Sequence, residues 1–420
     1  MSEHTIAENL VRLTTARTNI ANAITAKGGT VNSGDGFEEF PVDIASLPSV
    51  GGGSASRSDV NFYDYDGTVV NSYTAVEFAG LDAMPDNPSH EGLTSQGWNW
   101  ALADAKVYVA KYGKLDVGQL YKTVDGALRL YIRLEDGRLS PVLGICLDGT
   151  ATVDWGDNSP TETMTGSSTE VLVYLAHTYA TPGDYVISLI PSVESEIALG
   201  QRDGNSTILC KAPDDSFSDR RMYLNSIYKV ELPDSLTSIS TYAFQNCHKL
   251  AAVSIPSNVT SISSYAFRYC YVLPFITIPD GVAGIDGYCF LNCYGLSAIA
   301  IPNSVTSIAT YAFQNCTGFL SIIIPDGVTS IAAYALRYCY GLLSITIPDS
   351  VTSIGRYVFQ SCKGIGFIKF TSPIPPTVVN VDTWDDIATD CILYVPDGYL
   401  EDYLDATNLP DPDVFQYVEY

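Results

Sequence analysis

A period of 23 residues constrains this chain more than any other feature. Proline stands at 233, 256, 279, 302, 325 and 348, always after Leu or Ile. Cys247, Cys270, Cys293, Cys316, Cys339 and Cys362 keep the same step. So do Tyr242, Tyr265, Tyr288, Tyr311, Tyr334 and Tyr357, each followed two places later by Phe, or by Leu336 in the fifth coil. Such regularity specifies a solenoid, because one coil cannot bury its apolar face alone whereas stacked coils share a continuous core. Each coil supplies a short strand of period two, such as Ser344-Ile345-Thr346-Ile347, closed by a proline that donates no ladder hydrogen bond. A Val-Thr-Ser-Ile stretch and a compact turn follow, the turn expected to carry Tyr, Phe and Cys inward. At roughly 4.8 Å per coil, six coils make a block about 30 Å long.

The six recurring cysteines fall in one column, as a structural ladder. Neighbouring Cα atoms about 5 Å apart are near enough to pair, so disulfides stay open. Free cysteine behaves as a small buried hydrophobe, and buried thiols are the expectation. A straight column lacks the tetrahedral convergence zinc requires, even with Cys289 beside Cys293, and no metal is expected. Cys146, Cys210 and Cys391 are isolated.

Wording and period together resemble the BspA-like leucine-rich repeat family over 231–371, and the resemblance extends into a C-terminal cap at 372–420. That family occurs in bacterial surface adhesins and in phage proteins, which implies a binding role. In the cap, the segment from Cys391 resembles the strand and short helix that close such arrays, with Asp397 expected as the helix N-cap.

Before the repeats, 1–47 reads as a helical attachment region. Ile6, Leu10, Leu13, Ile20 and Ile24 form a narrow apolar stripe, and Thr5-x-x-Glu8 matches a capping box. Such a stripe requires a partner helix or a docking surface. Residues 48–60 form a Gly/Ser linker. A small α/β module is expected over 61–140, with Phe62–Tyr65 strand-like, a turn at Asp66-Gly67 and a helix after Gly97-Trp98-Asn99-Trp100. Over 141–230, Val153-Asp154-Trp155-Gly156-Asp157 with His177-Thr178-Tyr179 resembles PKD-type immunoglobulin-like β-sandwiches. The fold class expected is therefore mixed and mainly β: helix, α/β module, sandwich, six-coil solenoid, cap.

Charge narrows the function. Twenty-two basic residues against 47 acidic ones leave −25, which disfavours nucleic acid and anionic membranes as partners. No apolar run reaches the length of a membrane span, and the first residues lack the features of a secretion signal. Asp64-Tyr65-Asp66-Gly67-Thr68-Val69 resembles the nucleophile loop of haloacid-dehalogenase phosphatases, but no alternating strand–helix pattern follows to build that doubly wound sheet. The four histidines, at 4, 90, 177 and 248, join no catalytic motif. No enzyme activity and no cofactor is expected.

Between 233 and 370, six basic and five acidic residues nearly cancel, so the repeat block is close to neutral on an acidic chain. Arg268-Tyr269-Cys270-Tyr271 recurs as Arg337-Tyr338-Cys339-Tyr340, three coils or about 15 Å later. These residues, with Tyr294, are candidate receptor contacts. The other reading is a duplicated three-coil block whose tyrosines merely pack between coils. The outward strand stripe, Ser254, Thr277, Ala300, Ile323, Thr346 and Lys369, is a second candidate face.

The N-terminal region with the Gly-Trp-Asn-Trp module resembles tail-associated proteins of phages and prophages. The expectation is a phage tail or fibre protein, made in the host cytoplasm and released by lysis. It would attach to tail or baseplate proteins through its N-terminus as a homotrimer. Its solenoid would bind a glycan or envelope protein of the bacterial host. A BspA-like cell-surface adhesin and a purely structural spacer are the alternatives.

Overall fold

The computed structural model describes residues 59–193, 195–199, 201–202, 205–206, 208–210 and 223–420. The expected attachment helix with Ile6, Leu10, Leu13, Ile20 and Ile24, and the linker up to 58, lie outside the described residues.

Eight short strands stack in order along the repeat region: Ile227–Glu231, Ala252–Ser254, Phe275–Thr277, Ala298–Ala300, Ser321–Ile323, Ser344–Ile347, Phe367–Phe370 and Ile392–Val395. Where they pair they are parallel, with registers such as Ser344↔Phe367 that step by one repeat. A second parallel column, from Ser238–Ile239 to Thr377–Val378, runs alongside. The solenoid is thus longer than the six expected coils. Its first strand straddles the expected boundary at 231, and its last coil is hidden because the register lengthens (Phe367↔Ile392) and breaks the period.

Inside, Phe244, Phe267, Phe290 and Phe313 stack at 5.3–5.5 Å between centroids, beside the cysteine column. All ten cysteines are free and buried. Cys270, Cys293, Cys316, Cys339 and Cys362 each donate Sγ–H to a backbone carbonyl of the preceding coil at 3.1–3.3 Å. Burial pushes these thiols up, to about 12 at Cys362, so they remain protonated donors.

The two ends of the array are closed differently. At the start, β5 (Leu128–Leu134) pairs antiparallel with Ile227–Glu231, so the solenoid's first strands continue a seven-stranded sheet. That sheet also holds β6 (Val142–Asp154), β7 (Glu162–Ala176), β8 (Gly183–Pro191) and β9 (Glu196–Leu199). One hydrophobic core runs from Leu128 through the coils to Leu409, so the boundaries expected at 140 and 230 cut through shared structure. Within this sheet Trp155 is fully buried and stacks on His177, which bonds Asp157 at 2.8 Å. Asp154 and Asp157 accept from the amides of Gly156 and Ser159, the geometry of turn capping. At the far end, Gln416–Glu419 pairs with Ile392–Val395. The short helix Leu400–Leu404 is capped by Glu419, whose Oε1 accepts from the amides of Gly398 and Leu400, and not by the expected Asp397.

The remaining module is a four-stranded sheet in the order β2-β1-β4-β3: β1 (Val60–Tyr63), β2 (Val69–Tyr73), β3 (Leu93–Trp98) and β4 (Leu115–Thr123). Helix α1 (Ala75–Ala79) and helix α2 (Leu102–Tyr112) pack on it, and Gly113 ends α2 in the left-handed region. The sheet is not doubly wound. Asp64 is buried, accepts from the amide of Tyr65 and bonds His90 at 2.7 Å.

Candidate binding faces of the solenoid

The strand face is covered by the chain itself. Ser254, Thr277 and Ala300 of the candidate stripe are buried, and Ile323 packs against the core of the module. Thr346 and Lys369 are half-buried, with Lys369 Nζ 3.7 Å from the centroid of the Tyr420 ring.

The repeat dictates this cover. In a parallel ladder the carbonyl before each proline should accept from the amide one coil on, and there the next proline has none. The module supplies donors for these carbonyls. Asn99 Nδ2 reaches the oxygen of Ile278 (3.2 Å), Trp100 Nε1 that of Ile301 (3.3 Å) and Tyr108 Oη that of Ile324 (2.7 Å); Asn99 Nδ2 also meets the oxygen of Ala300 (3.2 Å), which already accepts from the amide of Ile278. Asn99 Oδ1 accepts in turn from the amide of Gly118 (2.8 Å). At Gly118 the two backbones approach so closely that an added Cβ would lie 2.2 Å from Thr277 Oγ1. Tyr63 stacks on Phe275 at 4.5 Å, and Lys111 pairs with Asp349 at 2.9 Å.

The turn face is different. Tyr242, Tyr265, Tyr288, Tyr311, Tyr334 and Tyr357 form a stack with 4.5–4.9 Å between successive centroids. These tyrosines are half-exposed, whereas the Phe and Cys of each turn are buried, so the inward orientation expected for Tyr is corrected. All six have φ between 60° and 64°. Positive φ is uncommon for a bulky residue, and it turns the peptide planes so that amides point along the stack. Those of Tyr242, Phe244 and Asn246 donate to the carbonyls of Ser264, Ala266 and Arg268 in the next coil.

Of the predicted contact residues, Arg268 and Arg337 reach rings of this stack, with Tyr269 and Tyr338 beside them. Arg268 Nη2 donates to Tyr269 Oη at 2.7 Å, and its guanidinium lies over the rings of Tyr269 (4.4 Å) and Tyr265 (5.4 Å). Arg337 lies over Tyr338 (4.2 Å) and Tyr334 (5.4 Å). Tyr271 stacks between His248 (4.3 Å) and Tyr294 (5.1 Å) in a second aromatic column, to which Tyr340 adds an exposed ring three coils from Tyr271. Burial raises the hydroxyls of Tyr265, Tyr311 and Tyr340, which keeps these rings neutral. The sequence reading missed the Tyr stack itself, His248, and Arg356, which lies over Tyr357 at 5.6 Å. A small residue before most of the stacked tyrosines (Thr241, Ser264, Gly287, Thr310, Ala333) was the available signal, since nothing bulky screens the ring.

These features define a leucine-rich repeat solenoid with one long face sealed by the module and the other left uncovered by the module among the described residues. More narrowly, residues 215–299 and 284–377 match the BspA type leucine rich repeat region family, in six copies. Among solved structures the chain is similar to a leucine-rich repeat protein from Bacteroides ovatus, at 22% identity over 44% of this chain and 54% of that one, TM-score 0.31. It is also similar to the pneumococcal vaccine antigen PcpA, at 18% over 46% and 44%, TM-score 0.33. A T. pallidum leucine-rich repeat protein matches at 22% over 37% and 76%, TM-score 0.27. The chain spans about half the length of the first two. No curated protein sequence matches.

Proposed function

We propose that this chain is a binding protein, not an enzyme, that recognises a bacterial surface through the turn face of its solenoid. The aromatic face carries this reading: stacked, half-exposed tyrosines and arginines line the array while the chain's own module seals the opposite side. Tyr and Arg are enriched among the residues that carry binding energy at interfaces. The partner is a surface glycan or an envelope protein.

Two modes of display follow from different observations. In the first, the protein belongs to a phage tail, with 1–47 holding a homotrimer to tail or baseplate proteins and the PKD-like sheet acting as a spacer; the resemblance of the N-terminal region supports it. In the second, it is a BspA-like adhesin on its own cell, which the repeat family supports. Gold-tagged antibody against 231–420, applied to induced lysates of the producing organism, separates them. Label at the ends of tailed particles supports the first, and label on envelopes with bare particles supports the second. Failure of the purified protein to bind any bacterial envelope would remove both in favour of a structural spacer.

A further inference from the structure

The solenoid's arginines are left without carboxylates in a chain rich in them. Of the six arginines whose side chains are described, Arg129, Arg133 and Arg138 each sit against an acidic residue. Arg268, Arg337 and Arg356 pair with none among the described residues, although the chain has 47 acids. They lie over tyrosine rings instead. Stacking leaves Nε of Arg268 and Arg337 buried without a partner, while Arg268 Nη2 donates to Tyr269 Oη.

Backbone conformation singles out the same two coils. The residue before the ladder cysteine has φ between 59° and 67° in all six coils. Four coils place Asn246, Asn292, Asn315 or Ser361 there, short side chains suited to such turns. Tyr269 and Tyr338 take that position only where an arginine precedes them. At this position a bulky residue is thus held in the left-handed region at these two coils, where their neighbours use Asn or Ser.

We infer that Arg268–Tyr269 and Arg337–Tyr338, with Arg356 beside the second pair, are two clasps for one anionic polysaccharide lying along the solenoid axis. This rests on the turn face being the contact surface. Sugar faces lie on the tyrosine rings, and carboxylate or phosphate groups meet the guanidinium edges, whose fork matches them bidentately. About 15 Å separates the clasps, so successive charged units of one polymer engage both. A neutral glycan would leave the three arginines unanswered, and an acidic peptide has no rigid ring to lie on the tyrosines. Asp382 lies against Tyr357 at the end of the stack, and salt screens the attraction between the guanidinium groups and the anionic polymer, so binding weakens as salt rises.

Affinity electrophoresis and calorimetry of the full chain against polygalacturonate, yeast phosphomannan, neutral dextran and polyglutamate test this. Retardation by either anionic glycan but not by dextran is expected, and which one binds identifies carboxylate or phosphate as the recognised group. R268Q/R337Q should weaken binding about a hundredfold, tenfold per clasp. Y269N/Y338N, which installs the residue of the sister coils and so preserves the fold, should weaken it about tenfold with the thermal midpoint unchanged or raised. R268K/R337K keeps the charge but loses the fork, and should stay about tenfold weak. Wild-type affinity in R268Q/R337Q, equal binding of polyglutamate, or no binding of either anionic glycan overturns the inference. If envelopes are bound while both anionic glycans are not, the surface-binding function stands and this ligand class fails.

Discussion

The two long faces of the solenoid come from one repeat and meet opposite fates. On the strand face the outward residues are small and weakly polar, and the proline column leaves a line of carbonyls without donors. The module closes over that line with Asn99, Trp100 and Tyr108. On the turn face the side chains are large and aromatic, yet the backbone bonds itself from coil to coil and the rings stack on one another. Nothing there requires a cover. Backbone satisfaction, more than side-chain polarity, decides which face of a solenoid is open.

The contrast breaks most sharply at Asn99. N99A leaves the amide of Gly118 and the carbonyl of Ile278 buried without partners, at about 4 kcal/mol for the two. Urea titration should show that loss. Proteolysis should show the module released from coils that stay folded, because their own core is untouched.

G118A tests the same seam by shape. Its Cβ would collide with Thr277, and about 3 kcal/mol of destabilisation is expected. T277A should recover part of it, since Oγ1 and Cγ2 are the nearest atoms, and a double-mutant cycle that comes out additive would show the contact to be unimportant.

A pH lever acts on the covered face. Asp116 on β4 is buried beside Tyr63, and burial pushes its carboxyl up from 3.8 to about 6. The folded chain therefore holds this proton more tightly than the unfolded chain. The associated stability is present below about pH 4 and is lost as pH rises through 6, by up to about 3 kcal/mol. D116N should flatten that limb and be about 2 kcal/mol more stable than wild type at pH 7.5, with no gain at pH 4. Thermal midpoints across this range read it directly.

The smallest effect belongs to the open face. Y269N/Y338N relieves two strained left-handed positions, and stability should rise by about 1 kcal/mol while binding falls. Loss of several kcal/mol would instead mean that these tyrosines hold coils together, the packing reading of the duplicated block.

Much of the solenoid was legible because a strict period fixes side-chain direction coil by coil. Pro, Cys and Phe positions translate directly into stacked columns. Tyr did not, since its orientation depends on a positive φ that the neighbouring turn imposes. The last coil escaped notice because the register lengthens at Thr377 and Ile392 and the repeat loses its beat. At the candidate site, Arg268 and Arg337 with their tyrosines stood out as a recurring tetrapeptide. Arg356 did not, because it joins the face from a different place in the coil.

The sequence by itself determined a repeating parallel array, its phenylalanine and cysteine interior and the residue types on each face. Those follow from a local pattern copied along the chain. Only the tertiary structure decided that β5 continues the solenoid's sheet, that a module some 180 residues earlier seals the strand face, and that the arginines stack on rings instead of pairing with acids. Each of these depends on partners far apart in the chain, and no local periodicity encodes which unsatisfied carbonyl or uncovered ring a distant side chain will meet.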